Sequence, residues 1–364
     1  MGGVAVISMK KNSGIIRILA ILLAIPSAGF GQVVENPAKP RAASAGRVLK
    51  LAEVWRITDE SGAFYFKHPS QLQIAADGSI FVANVEQLLR FSLEGRFLKN
   101  LYKKGQGPGE AVSDFIYFLH GDDVFVHDWV SQRLWRLDFG GVLQEQIRLA
   151  SKVYGGLVAV LPDSFLFLKE EWPPLSERTG RLLENLQTVA VIARDGAWQR
   201  DVVTFKPRNF LSPQGGMGWD SSITVASPDA RLLYGYHSRD YLIETVDLTT
   251  GAVVRKFSRA YSKVLHSESA GELDFRKKSG APKREFEPDI KNLFPVGDGL
   301  WVETSTDDKT KGRLIDVFDK NGCFIDSFYL GAGRTLMAVG EGSIICQEKN
   351  EDETITILKY KIDP

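Results

Sequence analysis

A chain of 364 residues with 45 basic and 45 acidic side chains carries no formal net charge, which removes any global electrostatic case for nucleic acid as a partner or for attraction to an anionic membrane. Hydrophobic residues at 44% and charged residues at 25% belong to a folded globular chain and exclude a disordered one. Two cysteines without a CxxC pair and only five histidines give no zinc-site signature.

Residues 1–32 read as a signal peptide. Lys10, Lys11 and Arg17 form a basic region, and Ile18 to Ile25 is apolar. Pro26 then breaks the run, and small residues from Ser27 to Gly31 offer a cleavage site before Gln32. The apolar run falls short of the roughly 20 residues that span a bilayer, so export without membrane insertion is expected. The mature protein is placed in the periplasm or outside the cell. Residues 33–46 read as a flexible linker. Arg47 to Ile57 has strand character, and residues 47–364 form one all-β domain.

From there the chain repeats one unit: an apolar strand, a tight turn and a second apolar strand. The turns are Ala76-Asp77-Gly78, Gly121-Asp122-Asp123, Pro162-Asp163-Ser164, Pro228-Asp229-Ala230, Gly297-Asp298-Gly299 and Gly340-Glu341-Gly342. Gly or Pro supplies the backbone geometry and the acidic residue bonds nearby N–H groups. The strands after them, such as Ile80 to Val82 and Phe165 to Leu168, are continuous apolar runs suited to burial on both faces. A third strand runs to a second turn at Gly95, Gly141, Gly196, Gly251 and Gly322. Those glycines fall about 45 to 55 residues apart until the last step of about 70, near the spacing of four-stranded propeller blades. The long step holds a polar insertion, residues 262–285, expected to be exposed and mobile. Its basic tract, Lys277-Lys278 and Lys283-Arg284, is ringed by Glu272, Asp274, Glu285 and Glu287 and reads as a solvated surface. The last unit runs out after three strands, and Arg47 to Ile57 can supply the fourth. The expected fold is a six-bladed β-propeller of four-stranded antiparallel blades, its last blade completed by the N-terminal strand. Cys323 and Cys346 read as small strand residues of neighbouring blades, unpaired.

The stretch from His68-Pro69-Ser70 to Gly95, the linker Lys104-Gly105-Gln106-Gly107-Pro108-Gly109-Glu110, and Val126-His127-Asp128 with Arg133-Leu134 resemble the NHL-repeat propellers. They are similar above all to exported bacterial six-bladed propellers with a G-x-GPGE linker. The likeness covers residues 65–149, and Asn84 stands where that pattern often has Asp. The resemblance implies fold, export and generic binding; such propellers include scaffolds, ligand binders and a few lyases. Fold alone does not fix function.

Loops between second and third strands, together with the linkers between blades, should share one face. Trp172, Arg208, Trp219, Tyr236, His237 and Arg239 are the candidate binding residues, because aromatic and Arg side chains on rigid loops suit a carbohydrate, peptide or protein surface. The expected role is therefore a non-catalytic binding module without cofactor. The alternative is a metal-dependent hydrolase or lyase of the gluconolactonase or amidating-lyase propeller type. In that case Asn84, Asp128, Glu170 and His237 would hold a divalent ion, Ca²⁺ or Zn²⁺. Against it, Asp after a strand usually bonds its own loop. The glycine-rich 105–110 linker lacks the Lys-Ser/Thr ending and following helix of a phosphate loop, and reads as a turn.

Overall fold

Short apolar runs separated by Gly- or Pro-containing turns pair with their immediate neighbours in the chain, and four-stranded antiparallel sheets result. The computed structural model describes residues 33–58, 62–112, 115–150, 155–350 and 352–363. The proposed signal peptide lies outside them. Three strands, β1 (Val33–Asn36), β2 (Arg47–Val48) and β3 (Leu51–Ile57), precede sheet I, which contains β4 (Ser70–Ile74), β5 (Ile80–Asn84), β6 (Gln87–Phe91) and β7 (Phe97–Asn100). Sheet II contains β8 (Ile116–His120), β9 (Asp123–Asp128), β10 (Arg133–Asp138) and β11 (Leu143–Arg148). Sheet III contains β12 (Leu157–Val160), β13 (Ser164–Glu171), β15 (Leu186–Ala193) and β16 (Trp198–Phe205); β14 (Arg181–Glu184) leaves it to join β17 (Arg208–Ser212) and β18 (Gly215–Gly218) in a small side sheet. Sheet IV contains β19 (Ile223–Ala226), β20 (Leu232–Tyr236), β21 (Leu242–Asp247) and β22 (Val253–Arg259). Helix α1 (Ala270–Ser279) comes next. Sheet V then holds β23 (Ile290–Val296), β24 (Gly299–Asp308), β25 (Gly312–Phe318) and β26 (Phe324–Tyr329), and sheet VI holds β27 (Arg334–Gly340), β28 (Ser343–Lys349) and β29 (Ile355–Ile362).

Each acidic turn read from the sequence lies between the first and second strands of its sheet. The second set of glycines lies between the third and fourth. Gly251 shows why glycine is needed there: its φ is 72°, and a Cβ would stand 2.7 Å from the Val202 carbonyl oxygen. In sheet I burial is greatest in the second strand and falls toward the outer one. All of β5 is buried, whereas most of β7 is exposed.

Apolar clusters join each sheet to the next. Phe81 and Leu88 of sheet I meet Tyr117, Val126 and Trp135 of sheet II, and Phe125 and Leu134 meet Phe165 and Phe167 of sheet III. Leu166 and Val189 meet Leu233 and Val246 of sheet IV. Tyr236 and Phe257 meet Leu300, Val302 and Phe318 of sheet V, and Ile315 and Phe328 meet Ile344 and Leu358 of sheet VI. Ile345 and Ile357 of sheet VI then meet Val82 and Phe91 of sheet I. The first strands β4, β8, β12, β19, β23 and β27 touch in that order, and β27 also touches β4. Between sheets IV and V, Asp316 accepts from the Arg259 guanidinium at 2.6 Å and from the Tyr241 hydroxyl at 2.8 Å. Burial pushes the Asp316 carboxyl up to about 6 against the pull of that cation.

The N-terminal segment corrects the expected flexible linker at 33–46. β1 pairs in parallel with β22 on sheet IV, β2 in parallel with β26 on sheet V, and β3 antiparallel with β29 on sheet VI. Asn36 fastens the segment between sheets IV and V. Its amide donates to the carbonyls of Ser258 and Gly322, both at 2.9 Å, and its side-chain oxygen accepts from Phe324 N–H at 2.9 Å. The physical reason is that outer strands present unpaired backbone donors and acceptors, which a passing chain can satisfy without any side-chain pattern.

The polar insertion is also structured. Ser269 and Glu272 form a capping box at the start of α1, and Gly280 closes it in the left-handed region at φ 73°. Phe275 packs edge-on against Phe210 of the side sheet, 6.5 Å between centroids. The ends of the insertion are stitched by His266 N–H to the Glu285 carbonyl at 2.9 Å and Glu287 N–H to the Val264 carbonyl at 2.8 Å. Both cysteines are free. Cys346 is buried in β28, and burial pushes its thiol up to about 12. Cys323 occupies the turn before β26 rather than a strand. Among the described residues no helix is long and apolar enough to cross a membrane.

Candidate functional site

The long excursions from sheets III to V meet beside the β20–β21 loop. Arg208, first residue of β17, donates from Nε and Nη2 to Asp220 at 2.9 and 2.8 Å, and its backbone N–H donates to the same carboxylate at 3.0 Å. This clamps the two ends of the β17–β18 hairpin and sets Trp219 just beyond it. Arg239, in the β20–β21 loop, donates to the carbonyls of Trp219 and Phe286. It thereby fastens the hairpin to the insertion. The guanidinium carbons of Arg239 and Arg284 lie 5.5 and 5.8 Å from the Trp219 ring centroid, within cation–π range.

These groups line a cavity of about 340 Å³ together with Asp240, Lys263, Lys283, Glu285 and Glu287. Lys263 is paired with Asp240 at 2.6 Å and Asp289 at 3.1 Å. Arg284 reaches Glu272 only at 3.5 Å, and its buried Nε has no hydrogen-bond partner among the described residues. Burial, and then the charge of Arg239, hold its guanidinium below the ordinary value. The basic tract at 283–284 is therefore not wholly solvated as its composition suggests, because the insertion folds back and turns Arg284 inward. Lys263, Phe286 and Glu287 had no signal in the sequence. Their place depends on that fold-back.

Of the predicted binding residues, Arg208, Trp219 and Arg239 share this cavity. Trp172 does not line it; it is 41% exposed and donates to its neighbour Glu170 at 3.1 Å. Tyr236 is a correction. It ends β20 as a fully buried core residue, its hydroxyl 3.4 Å from Ile290 N–H, and offers nothing to a surface. His237 lies beside a separate cavity of about 170 Å³, stacked on Phe205 at 3.8 Å. Its Nδ1 donates to Gln187 Oε1 and its Nε2 accepts from Thr224, both at 2.8 Å, because Gln187 spends its amide N–H₂ on Glu170 at 2.8 Å. Burial takes this imidazole down to about 3.

The residues proposed for a metal are each spent on hydrogen bonds within the fold. Asn84 accepts from Lys67 and His68 N–H, both at 2.9 Å, and donates to the Tyr65 carbonyl and Gln87. Asp128 is fully buried, which alone would raise its carboxyl. Backbone N–H groups of Val112, Ser131 and Val130 outweigh that and hold it below the usual carboxylate range. Glu170 accepts from Gln187 and Trp172. Among the described residues no three His, Cys, Asp or Glu side chains are grouped to hold a metal ion, so Asp128, Glu170 and His237 do not converge. The 105–110 linker is a turn in which Glu110 accepts from Gly107 N–H at 2.9 Å, and Arg133 grips the Gln106 carbonyl at 2.9 Å.

No protein-family model matches the chain, and no curated protein sequence matches it. Solved structures do. A Bacteroides fragilis protein named for its presumed export superposes with a TM-score of 0.58 at 11% identity, over 92% of this chain and 100% of that one. A member of the DUF4221 family from Bacteroides vulgatus gives 0.52 at 12% identity, over 87% of this chain and 99% of the other. At such identities the likeness speaks for fold alone. Together with the four-stranded antiparallel sheets packed one on the next, it makes this chain a β-propeller.

Proposed function

We propose that the chain is an exported six-bladed propeller, of the NHL-repeat type its first blades resemble, that works as a non-catalytic binding module. The unbroken series of inter-sheet clusters, with sheet VI packed on sheet I, supports the closed count of six. The basic and apolar run before Gln32 supports export. One observation carries the functional reading: Arg208 and Trp219, at the two ends of one hairpin, and Arg239, from the β20–β21 loop, line one cavity. Rigid loops joined by a clamp offer a preformed concave site with an aromatic and Arg anchors, the residue types that dominate binding energy. Its ligand is a protein, peptide or carbohydrate.

A thermal-shift screen of short peptides and saccharides tests this. Ligands that raise the melting temperature should lose their effect in Trp219→Ala and keep it in Trp172→Ala. Shifts that survive Trp219→Ala unchanged would move the site elsewhere. Fractionation tests export separately: the mature chain should start near Gln32 outside the cytoplasm, and an uncleaved cytosolic product would reject it.

A further inference from the structure

The cations around Trp219 are unevenly paired, and that unevenness selects a ligand. Arg208 and Lys263 are each neutralised, by Asp220 and by Asp240 with Asp289. Arg239 is held by two carbonyl oxygens and has no carboxylate within salt-bridge reach among the described residues. Lys283 forms no ion pair among them either. Arg284 has its single long contact to Glu272 and the unsatisfied Nε. Two guanidinium groups thus stand at one indole ring, partly removed from water, repelling one another. On the acidic side, Glu285 is the lining carboxylate that takes part in no ion pair among the described residues.

Resting on the binding role proposed above, the geometry points to a ligand with one carboxylate on a ring that has an apolar C–H face, the chemistry of a uronic acid residue. The carboxylate sits between Arg239, Arg284 and Lys283, and the ring lies on Trp219. A planar guanidinium fork matches a carboxylate bidentately, and an indole face takes the C–H side of a saccharide ring. A monoanion relieves the repulsion between the two arginines. A phosphate dianion would set a second negative charge against Glu285 and Glu287, which line the same cavity. The cavity volume lies at the small end of ligand sites, which suits one or two rings.

Calorimetric titration of the mature protein with D-glucuronate, a short uronate oligomer, glucose and glucose 6-phosphate tests this at low salt. Uronate should bind, glucose should not, and affinity should fall about tenfold or more in Arg284→Gln, as for the loss of one charge-assisted contact. Arg284→Gln is the informative variant, because Arg239 also fastens the loops; melting of each variant checks its fold. Raising the ionic strength should weaken uronate binding. Glucose binding as tightly as uronate would overturn the anion assignment and leave the binding role intact. Tighter binding of glucose 6-phosphate would overturn the carboxylate. If no saccharide binds while another ligand's effect is lost in Trp219→Ala, this inference fails and the binding role stands. If nothing responds to Trp219→Ala, both fail.

Discussion

A chain truncated to begin at Thr58 is expected to aggregate, or to melt tens of degrees lower than the full mature protein. The deletion takes away β3, whose residues from Leu51 to Ile57 pair along β29 from Ile362 to Ile357. It also removes Ile57 from the cluster between sheets VI and I, and Leu49 from the cluster between V and VI. Each of those side chains contributes about 1.5–3 kcal/mol by burial, and the ladder to β29 is lost as well. Set against a net stability of roughly 5–15 kcal/mol for a whole domain, this is most of the margin. The bared edge of β29 then presents unpaired N–H and C=O groups to other chains. A milder truncation that begins at Lys50 keeps β3 and Ile57 and loses β1, β2 and Leu49, so its melting should fall less. Light scattering and calorimetry on the two truncations read the difference. A monomer starting at Thr58 that melts with the intact protein would remove β3 from any structural role.

The turns were legible because they repeat. An acidic residue beside Gly or Pro, placed between two apolar runs, leaves few backbone solutions, and the same signal recurred in every sheet. The segment 33–46 was not legible, since β1 and the backbone of Arg41 and Ala42 join the outer edges through hydrogen bonds that leave no alternation in the sequence. The capping box was readable: Ser269 and Glu272 have the spacing that starts a helix, and the low apolar content of the insertion concealed it. Phe275 packs it against Phe210 of the side sheet.

The candidate site was legible in half. Loop position was enough to group Arg208, Trp219 and Arg239, because the blade repeat fixes which loops share an end. It misplaced Tyr236 by one residue. A strand ending at Tyr236 points that side chain inward and sends His237 toward the loop, and period-two alternation cannot say where a strand stops. The place of Lys263 and the inward turn of Arg284 depend on the fold-back of the insertion, a tertiary event with no local signature.

Acid should destabilise the protein well above the carboxylate range. His127 and His237 are both buried. Burial takes the first down to about 4, despite the nearby Asp128, and the second to about 3. The unfolded chain binds protons to these imidazoles near pH 6.5, where the folded chain binds none. The unfolded state therefore holds more protons, and stability falls as pH drops from about 6.5 toward 4. Each histidine contributes about 1.4 kcal/mol per pH unit over that window. Asp316 acts with the opposite sign: its raised carboxyl takes up a proton more readily when folded, so its contribution grows as pH falls through 6. Burial also raises the carboxyls of Asp289 and Glu303, so they act with Asp316 and offset part of the histidine loss. His127 offers the cleaner test. Neither of its ring nitrogens has a hydrogen-bond partner among the described residues, and its ring meets Phe167 edge-on at 4.9 Å. Replacing an unsatisfied buried polar group by an apolar one of similar size removes a cost of about 1–3 kcal/mol. His127→Leu should therefore melt higher than the parent at pH 7, and lose less stability between pH 7 and 4.5. A His127→Leu protein that melts lower at pH 7, with the parent's full acid dependence, would mean that the imidazole is satisfied and that the acid sensitivity arises elsewhere.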